Sequence, residues 1–305
     1  VTDLARFAVR RIALATMFVL AVSMSAFVLV RLAPGDATSE MVFSGAPQDA
    51  IAAARHRLGL DQPVGSQLAS WVAGLARLDL GESSRYGRPV AGLVAEHMAK
   101  TASLASLALI VSVLLGLPLG VVTGTRPRSV LSGAVTAVSL VLVCCPPIIG
   151  TLALLFFAAS TGWLSIEPGA LVLPTIALAL PLAAMLERLQ SQAIADAYHS
   201  PGIAAAAARG VTPRRLVWVH AGRQSLRSVL GVAGIAIATL FSGSVAVETI
   251  TSWPGLGGLT LEALVHRDVY LVAGCALAGA ALLATANLIV DVLRVAADPS
   301  AGHAS

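Results

Sequence analysis

Charge is what this chain has least of. Asp, Glu, Lys and Arg make up 12% of its 305 residues, against 57% hydrophobic, and mean hydropathy is +0.84. A soluble domain of this length could not cover so much apolar surface, so the composition is that of an integral membrane protein. Cysteine is scarce too: Cys144, Cys145 and Cys275 lie in apolar runs with no metal-like spacing to histidine. That excludes a disulfide framework and leaves free buried thiols as the expected state. Catalytic signals are missing as well. There is no Gly-x-x-x-x-Gly-Lys-Ser/Thr phosphate loop, so the chain is not itself an ATPase. No Gly-x-Ser-x-Gly elbow occurs, and His56, His97, His199, His220, His266 and His303 form no close pair at metal-ligand spacing. Neither a catalytic nor a metal site is expected. Ionisable groups are nearly absent from the apolar runs, which argues against a proton- or ion-coupled secondary carrier. The missing catalytic pair argues against an intramembrane enzyme.

What is present is a set of charge-free runs long enough to cross a bilayer, for which roughly 20 apolar residues suffice. They are Ile12–Val30, Thr101–Thr125, Ser129–Ile166, Pro168–Leu186, Ser228–Val247 and Val269–Val290. The fold class is therefore all-α, one transmembrane domain over 1–305 with six spans near 10–31, 101–125, 131–158, 168–190, 228–248 and 269–291. The third run exceeds one span, and its excess is expected to form an outer loop around Gly162-Trp163-Leu164-Ser165. Net charge is +4, but the basic residues sit beside the spans, which favours a membrane role over nucleic acid. Arg6, Arg10 and Arg11 precede the first, Arg126 and Arg128 separate the second and third, and Arg188 to Arg227 fill the fourth gap. The positive-inside rule then predicts both termini in the cytoplasm, 32–100 as an outer loop and 191–227 as a cytoplasmic one. The outer loop carries Asp36, Glu40, Asp49, Asp61, Asp79, Glu82 and Glu96. Arg31-Leu32-Ala33-Pro34-Gly35-Asp36 is a poor cleavage site, so the first span is expected to be retained.

The outer loop is too long for a connector. Ala46–Leu58 and Val64–Leu78, the latter around Trp71, read as helices lying on the outer membrane surface, with turns at Asp79-Leu80-Gly81 and Gly87-Arg88-Pro89-Val90. Pro118, Pro146-Pro147, Pro174 and Pro181 interrupt spans, as kinked helices or as a path or hinge through a moving bundle. Asn287, deep in the last run, suits an interhelical hydrogen bond. Glu248–Asp268 includes Ser252-Trp253-Pro254-Gly255-Leu256-Gly257-Gly258, which reads as an interfacial turn or as an outer gate.

The fourth gap is the most informative stretch. Ala204–Ala208 favour helix and Gly210 suits the left-handed position that ends one. Thr212 then fits an N-cap and Pro213 the first position of a second short helix carrying Arg214, Arg215, His220, Arg223 and Arg227. A small, alanine-faced helix at the cytoplasmic surface is a shape that a soluble motor could grip.

Several motifs stand in a fixed order: Pro34-Gly35-Asp36, Leu58-Gly59-Leu60-Asp61-Gln62-Pro63, Asp79-Leu80-Gly81, Gly87-Arg88-Pro89-Val90 and Gly116-Leu117-Pro118-Leu119-Gly120. Val247-Glu248-Thr249, Trp253-Pro254-Gly255-Leu256-Gly257, Asn287-Leu288-Ile289-Val290-Asp291 and Asp298-Pro299 follow. With these the chain resembles, over nearly its whole length, the permease subunits of binding-protein-dependent ABC importers of the dipeptide, oligopeptide and nickel type. The resemblance implies a coupling helix docked on an ATPase subunit, its paired alanines and glycine falling on Ala205, Ala206 and Gly210. Ile203, Arg209, Thr212 and Arg215 complete the expected coupling set. Pro146, Glu248, Trp253, Pro254, Gly255 and Gly257 are the pathway or outer-gate candidates. Relatives usually carry an acidic-aromatic pair just upstream, where this chain has Pro201-Gly202 and then Ala204 and Ala207. The resemblance further implies a bacterial inner-membrane protein, a second homologous permease, two P-loop ATPases that use the ATP, and an extracytoplasmic binding protein. No cofactor is expected on this chain, and the cargo is expected to be peptide, or alternatively nickel or another small solute.

Overall fold

The computed structural model describes residues 2–297 apart from 40, 41, 43 and 58. Glu40, Leu58, Asp298, Pro299 and His303 lie outside the described residues. The rest is helical: α1 Thr2–Leu32, α2 Gln48–Arg57, α3 Val64–Leu75, α4 Val90–Thr125, α5 Val130–Cys144 and α6 Pro147–Thr161. Then come α7 Val172–Tyr198, α8 Pro201–Ala208, α9 Pro213–Ile250, α10 Leu256–Val265 and α11 Val269–Ala297. Among the described residues the only β-pairing is one isolated bridge between Glu82 and Pro89.

Five helices are long and apolar enough to span a membrane, and α5 with α6 makes a sixth if that pair is one span. The third run is thus not a straight helix: its halves meet at a bend of 111°. The cause is local. Cys145 and Pro146 each precede a proline and are extended (ψ 121° and 139°), since a proline ring excludes the helical region for the residue before it. Pro147 then starts α6, where its missing N–H costs nothing. Pro118 and Pro181, by contrast, sit inside continuous helices. The break also corrects the thiol expectation. Cys275 is buried and free, but Cys144 is exposed and Cys145 half-buried at the bend.

The chain divides into two compact units, residues 1–102 with 254–284, and residues 103–253 with 285–305. In the first, the long loop after α1 is packed. Trp71 of α3 stacks on Phe27 of α1 (ring centroids 5.7 Å), and its indole N–H donates to the Leu80 carbonyl at 3.3 Å. Leu80, Val90 and Leu93 join Leu256, Leu259 and Leu271 in a second core cluster. Asp268 ties this unit together. It is buried, caps α11 by accepting from the Leu271 N–H at 3.1 Å, and accepts from the Ser83 hydroxyl (2.6 Å) and the Arg85 N–H (3.1 Å).

In the second unit α7 is the most enclosed span, its buried face packed against α4 and α9 through Leu104, Ala108, Leu178, Leu182, Val229 and Leu240. Three glycines on one stripe of α4 let it approach α7 closely. A Cβ on Gly116 would fall 2.5 Å from the Ala183 carbonyl oxygen, and one on Gly120 2.6 Å from both the Glu187 carbonyl oxygen and Gln190 Cβ. A Cβ on Gly124 would strike Ile194 and the Ser191 carbonyl. This i, i+4, i+8 spacing is the small-residue seam by which membrane helices pack where no hydrophobic effect separates them from lipid. Asn287 packs in the same way against a glycine: its Oδ1 lies 2.9 Å from where a Cβ on Gly234 would be.

Candidate functional site

The chain leaves the bundle at Tyr198 and returns at Pro213, and the excursion is α8 with its exit turn. Ser200 occupies the N-cap position with an extended backbone, and Pro201 starts the helix. Ile203 is the one large apolar side chain in α8. It is buried together with Ala206, one turn on, against Val121 of α4, Ile194 and Ala197 of α7 and Leu216 and Ala221 of α9. Ala204, Ala205, Ala207 and Ala208 point outward and are exposed.

The exit is a Schellman turn. The Val211 N–H donates to the Ala206 carbonyl at 3.3 Å and the Gly210 N–H to the Ala207 carbonyl at 2.9 Å, with Gly210 left-handed at φ +81°. Val211 packs beside Ala206, completing the hydrophobic contact of that motif. Thr212 sits at the next N-cap position, but its side chain makes no cap hydrogen bond. Of the seven residues singled out from the sequence, Ala205, Arg209, Gly210, Thr212 and Arg215 are exposed, whereas Ile203 and Ala206 hold α8 to its own bundle.

The second short helix expected at Pro213 begins there but does not end. It runs on as a π-helical stretch, Leu216–Ala221, into Gly222–Ile250. The register shift has a visible use. Residues five apart lie about 140° apart around an α-helix, but near one face of the wider π-helix. Leu216 and Ala221 are both buried, and Trp218, Val219 and His220 are turned outward.

About three turns before the end of α7 lies a polar cluster that the charge-free runs did not reveal. Glu187 is buried, with Oε1 accepting from the Thr123 hydroxyl at 2.6 Å. Gln190, on the same face, donates through Nε2 to the Ser225 hydroxyl at 2.9 Å. Glu187 Oε2 and Gln190 Oε1 are buried with no hydrogen-bond partner among the described residues. This carboxyl directly follows the fourth charge-free run, which ends at Leu186. The glycine seam and the i, i+3 pair Glu187/Gln190 were the available signals.

The outer-gate candidates are divided between the two units. Pro146 lies at the α5–α6 bend. Glu248 is wholly buried near the end of α9, and its carbonyl accepts from the Trp253 N–H at 2.9 Å. Pro254, Gly255 and Gly257 belong to the other unit, at the start of α10, where the Leu256 N–H donates to Thr101 Oγ1 at 2.7 Å. Among the described residues no group of three or more His, Cys, Asp or Glu side chains could hold a metal ion.

The family model described as the binding-protein-dependent transport system inner membrane component matches residues 116–303, and that for its N-terminal part matches 4–105. A Brucella abortus protein named for a peptide transport system permease is 33% identical over 95% of this chain and 96% of its own. The di/tripeptide transport system permease protein of Pseudomonas aeruginosa is 31% identical, over 97% and 98% of the two chains. The oligopeptide transport system permease protein of Bacillus subtilis is 27% identical, over 97% and 99%. Among solved structures, the MetNI methionine ABC transporter in an inward-facing conformation superposes with a TM-score of 0.54 at 21% identity, over 67% of this chain and 96% of that one. That likeness is one of fold. The chain belongs to the family of binding-protein-dependent transport system inner membrane components, as a multi-pass membrane permease subunit.

Proposed function

We propose that this permease forms half of the path by which peptides or similar small solutes are imported, and that partner ATPases drive it by gripping α8. The observation that carries the reading is the division of labour within that helix. Ile203 and Ala206 fasten it to α4, α7 and α9, while Ala205 and its exposed neighbours leave a smooth outer face. A force applied to that face passes into three helices at once, as rigid-body switching between inward- and outward-facing states requires. Gly210 and the Schellman turn fix the angle at which the chain returns. The basic residues around α8 and at the N-terminal end support, by the positive-inside rule, a cytoplasmic position for this side and for both termini. A second, similar permease would supply the other half of the path. The outer segments 61–89 and 253–268 would then receive the binding protein. Peptide cargo follows from the names of the relatives.

The test substitutes Ala205→Arg and Ala206→Arg in the transporter purified with its ATPases. Ala205→Arg should leave the chain folded and abolish both ATPase co-purification and uptake of a labelled dipeptide. Ala206→Arg should instead destabilise the permease itself, because that site is 3% exposed. Full uptake and intact ATPase recovery in Ala205→Arg would refute coupling through α8. Normal ATPase recovery and uptake of another solute class, with no dipeptide uptake, would refute the cargo alone.

A further inference from the structure

A buried carboxyl group that the transport role does not use stands where α4, α7 and α9 meet. Glu187 and Gln190 of α7, Thr123 of α4 and Ser225 of α9 are all buried, the first two at 2% and 3% exposure, and all lie in the second unit. Thr123 comes two residues before the end of the second apolar run, Glu187 one after the end of the fourth, and Ser225 three before the start of the fifth. The cluster therefore sits at one level of the bundle, the inner ends of the three runs. We propose that it binds a sodium ion through Glu187 Oε2 and Gln190 Oε1.

The hydroxyl hydrogens of the cluster are already committed. Ser225 donates to the Gly222 carbonyl at 3.0 Å, so its oxygen is left to accept, and it accepts from Gln190 Nε2 at 2.9 Å. That fixes the amide, with Nε2 facing Ser225 and Oε1 turned away from it. The Thr123 hydroxyl donates to Glu187 Oε1 at 2.6 Å. What remain are two oxygens one turn apart on α7, Glu187 Oε2 and Gln190 Oε1, each buried without a partner among the described residues. Both are acceptors and one belongs to a carboxylate. A buried carboxylate is costly unless a positive charge meets it. No lysine or arginine is ion-paired with Glu187 among the described residues.

The chemistry of the donors selects the ion. All are oxygen, which suits a hard cation. Calcium takes about six to eight oxygens, commonly from several carboxylates, whereas this cluster has one. No group of three His, Cys, Asp or Glu side chains exists among the described residues to hold a multivalent ion. Gly120 brings α4 so close that a Cβ there would lie 2.6 Å from Gln190 Cβ, and this tightness favours sodium over the larger potassium. Through Thr123 and Ser225 the ion would join three helices one turn before Ile194, where α7 receives α8. It holds the junction together and is not cargo.

The experiment measures radioactive sodium binding to the purified transporter by equilibrium dialysis, and its thermal unfolding in sodium, potassium or choline chloride at equal ionic strength. The wild type is compared with Glu187→Gln, Gln190→Leu and the exposed control Glu96→Gln. Sodium should bind saturably and raise the unfolding temperature above that in choline, by an increment that grows with the logarithm of its concentration. Glu187→Gln should lose both effects, and the control should keep both. Gln190→Leu should weaken sodium binding about tenfold. Equal unfolding temperatures in sodium and choline, with no saturable binding, would overturn the proposal and leave a buried water on the two oxygens. Equal displacement of sodium by potassium or calcium at the same concentration would overturn it too, as would retention of both effects in Glu187→Gln. If either cluster variant does not fold, wild-type binding and competition decide by the same criteria.

Discussion

The glycine seam between α4 and α7 can be tested by one substitution made at two places. A methyl at Gly120 would lie 2.6 Å from the Glu187 carbonyl oxygen, whereas ordinary contact begins at 3.4 Å. The obstacle is backbone, so the helices themselves must separate by about 0.8 Å, a displacement of the kind that overpacking penalises by about 1–3 kcal/mol. Gly133, in α5, has nothing within 4 Å of the same methyl. Both positions are helical, so both gain about 1 kcal/mol of helix propensity on going to alanine. That gain cancels in the comparison. Gly133→Ala should therefore stabilise the protein by up to about 1 kcal/mol, and Gly120→Ala should fall below it by about 1–3 kcal/mol. Unfolding in mixed micelles of rising SDS content, followed by circular dichroism, measures both. Equal shifts of the same sign would mean that α4 does not ride on α7 through this seam. An added Gly124→Ala, whose methyl meets backbone and Ile194 together, should be no milder than Gly120→Ala.

Gly210→Val forces a β-branched residue into the left-handed region, at a cost of about 1–2 kcal/mol. It should speed proteolysis between Ala208 and Pro213 and lower ATPase recovery while leaving the spans folded. Asp268→Ala removes a cap and leaves the buried Ser83 hydroxyl without its acceptor, costing about 2–4 kcal/mol. Thermal unfolding should show the loss, with Asp268→Asn recovering part of it. At Asp36 burial pushes the carboxyl up, but the Thr38 hydroxyl and N–H and the Arg55 guanidinium at 3.0 Å outweigh it, holding the group below its ordinary 3.8. Its contribution is therefore complete above that value and is lost as pH falls through the lower folded one. Amide protection factors in the segment after α1, corrected for the intrinsic pH dependence of exchange, should be unchanged from pH 7 to 5 and should fall only below about 3.8, and a fall already at pH 5 would contradict this.

Apolar runs located the spans because a bilayer imposes length and composition directly on the sequence. Their boundaries were harder to read, since a count of charges stops at the first one it meets. Glu96 and Lys100 cut the second run at Thr101, yet they pair at 3.3 Å across one turn of α4, which begins at Val90. Glu187 ended the fourth run for the same reason, although Thr123 supplies it with a donor inside the bundle. Both cuts come from treating an ionisable group as an isolated charge, when its partner decides whether a helix can carry it. At Pro146-Pro147 the break was legible but its angle was not, because local sterics exclude the helix without choosing a direction. The π-helical register of Leu216–Ala221 left no local mark in sequence, being imposed by packing on α7 and α8.

The alanines of α8 show where composition stops and geometry takes over. Five consecutive alanines carry no hydrophobic pattern, so Ala205 and Ala206 read as equivalent members of one motif. Ile203 breaks the symmetry. As the sole large apolar side chain of an eight-residue helix it must face the bundle, and the residue one turn on must follow it inward. Ala206 is small because its own bundle lies against it, and Ala205 is small on a face that its own chain leaves open. The first constraint holds in the isolated permease, and under the proposed coupling the second would act only once an ATPase docks. Stability measurements on this chain alone should therefore register substitutions at Ala206 and pass over those at Ala205, and only the assembled transporter should report both.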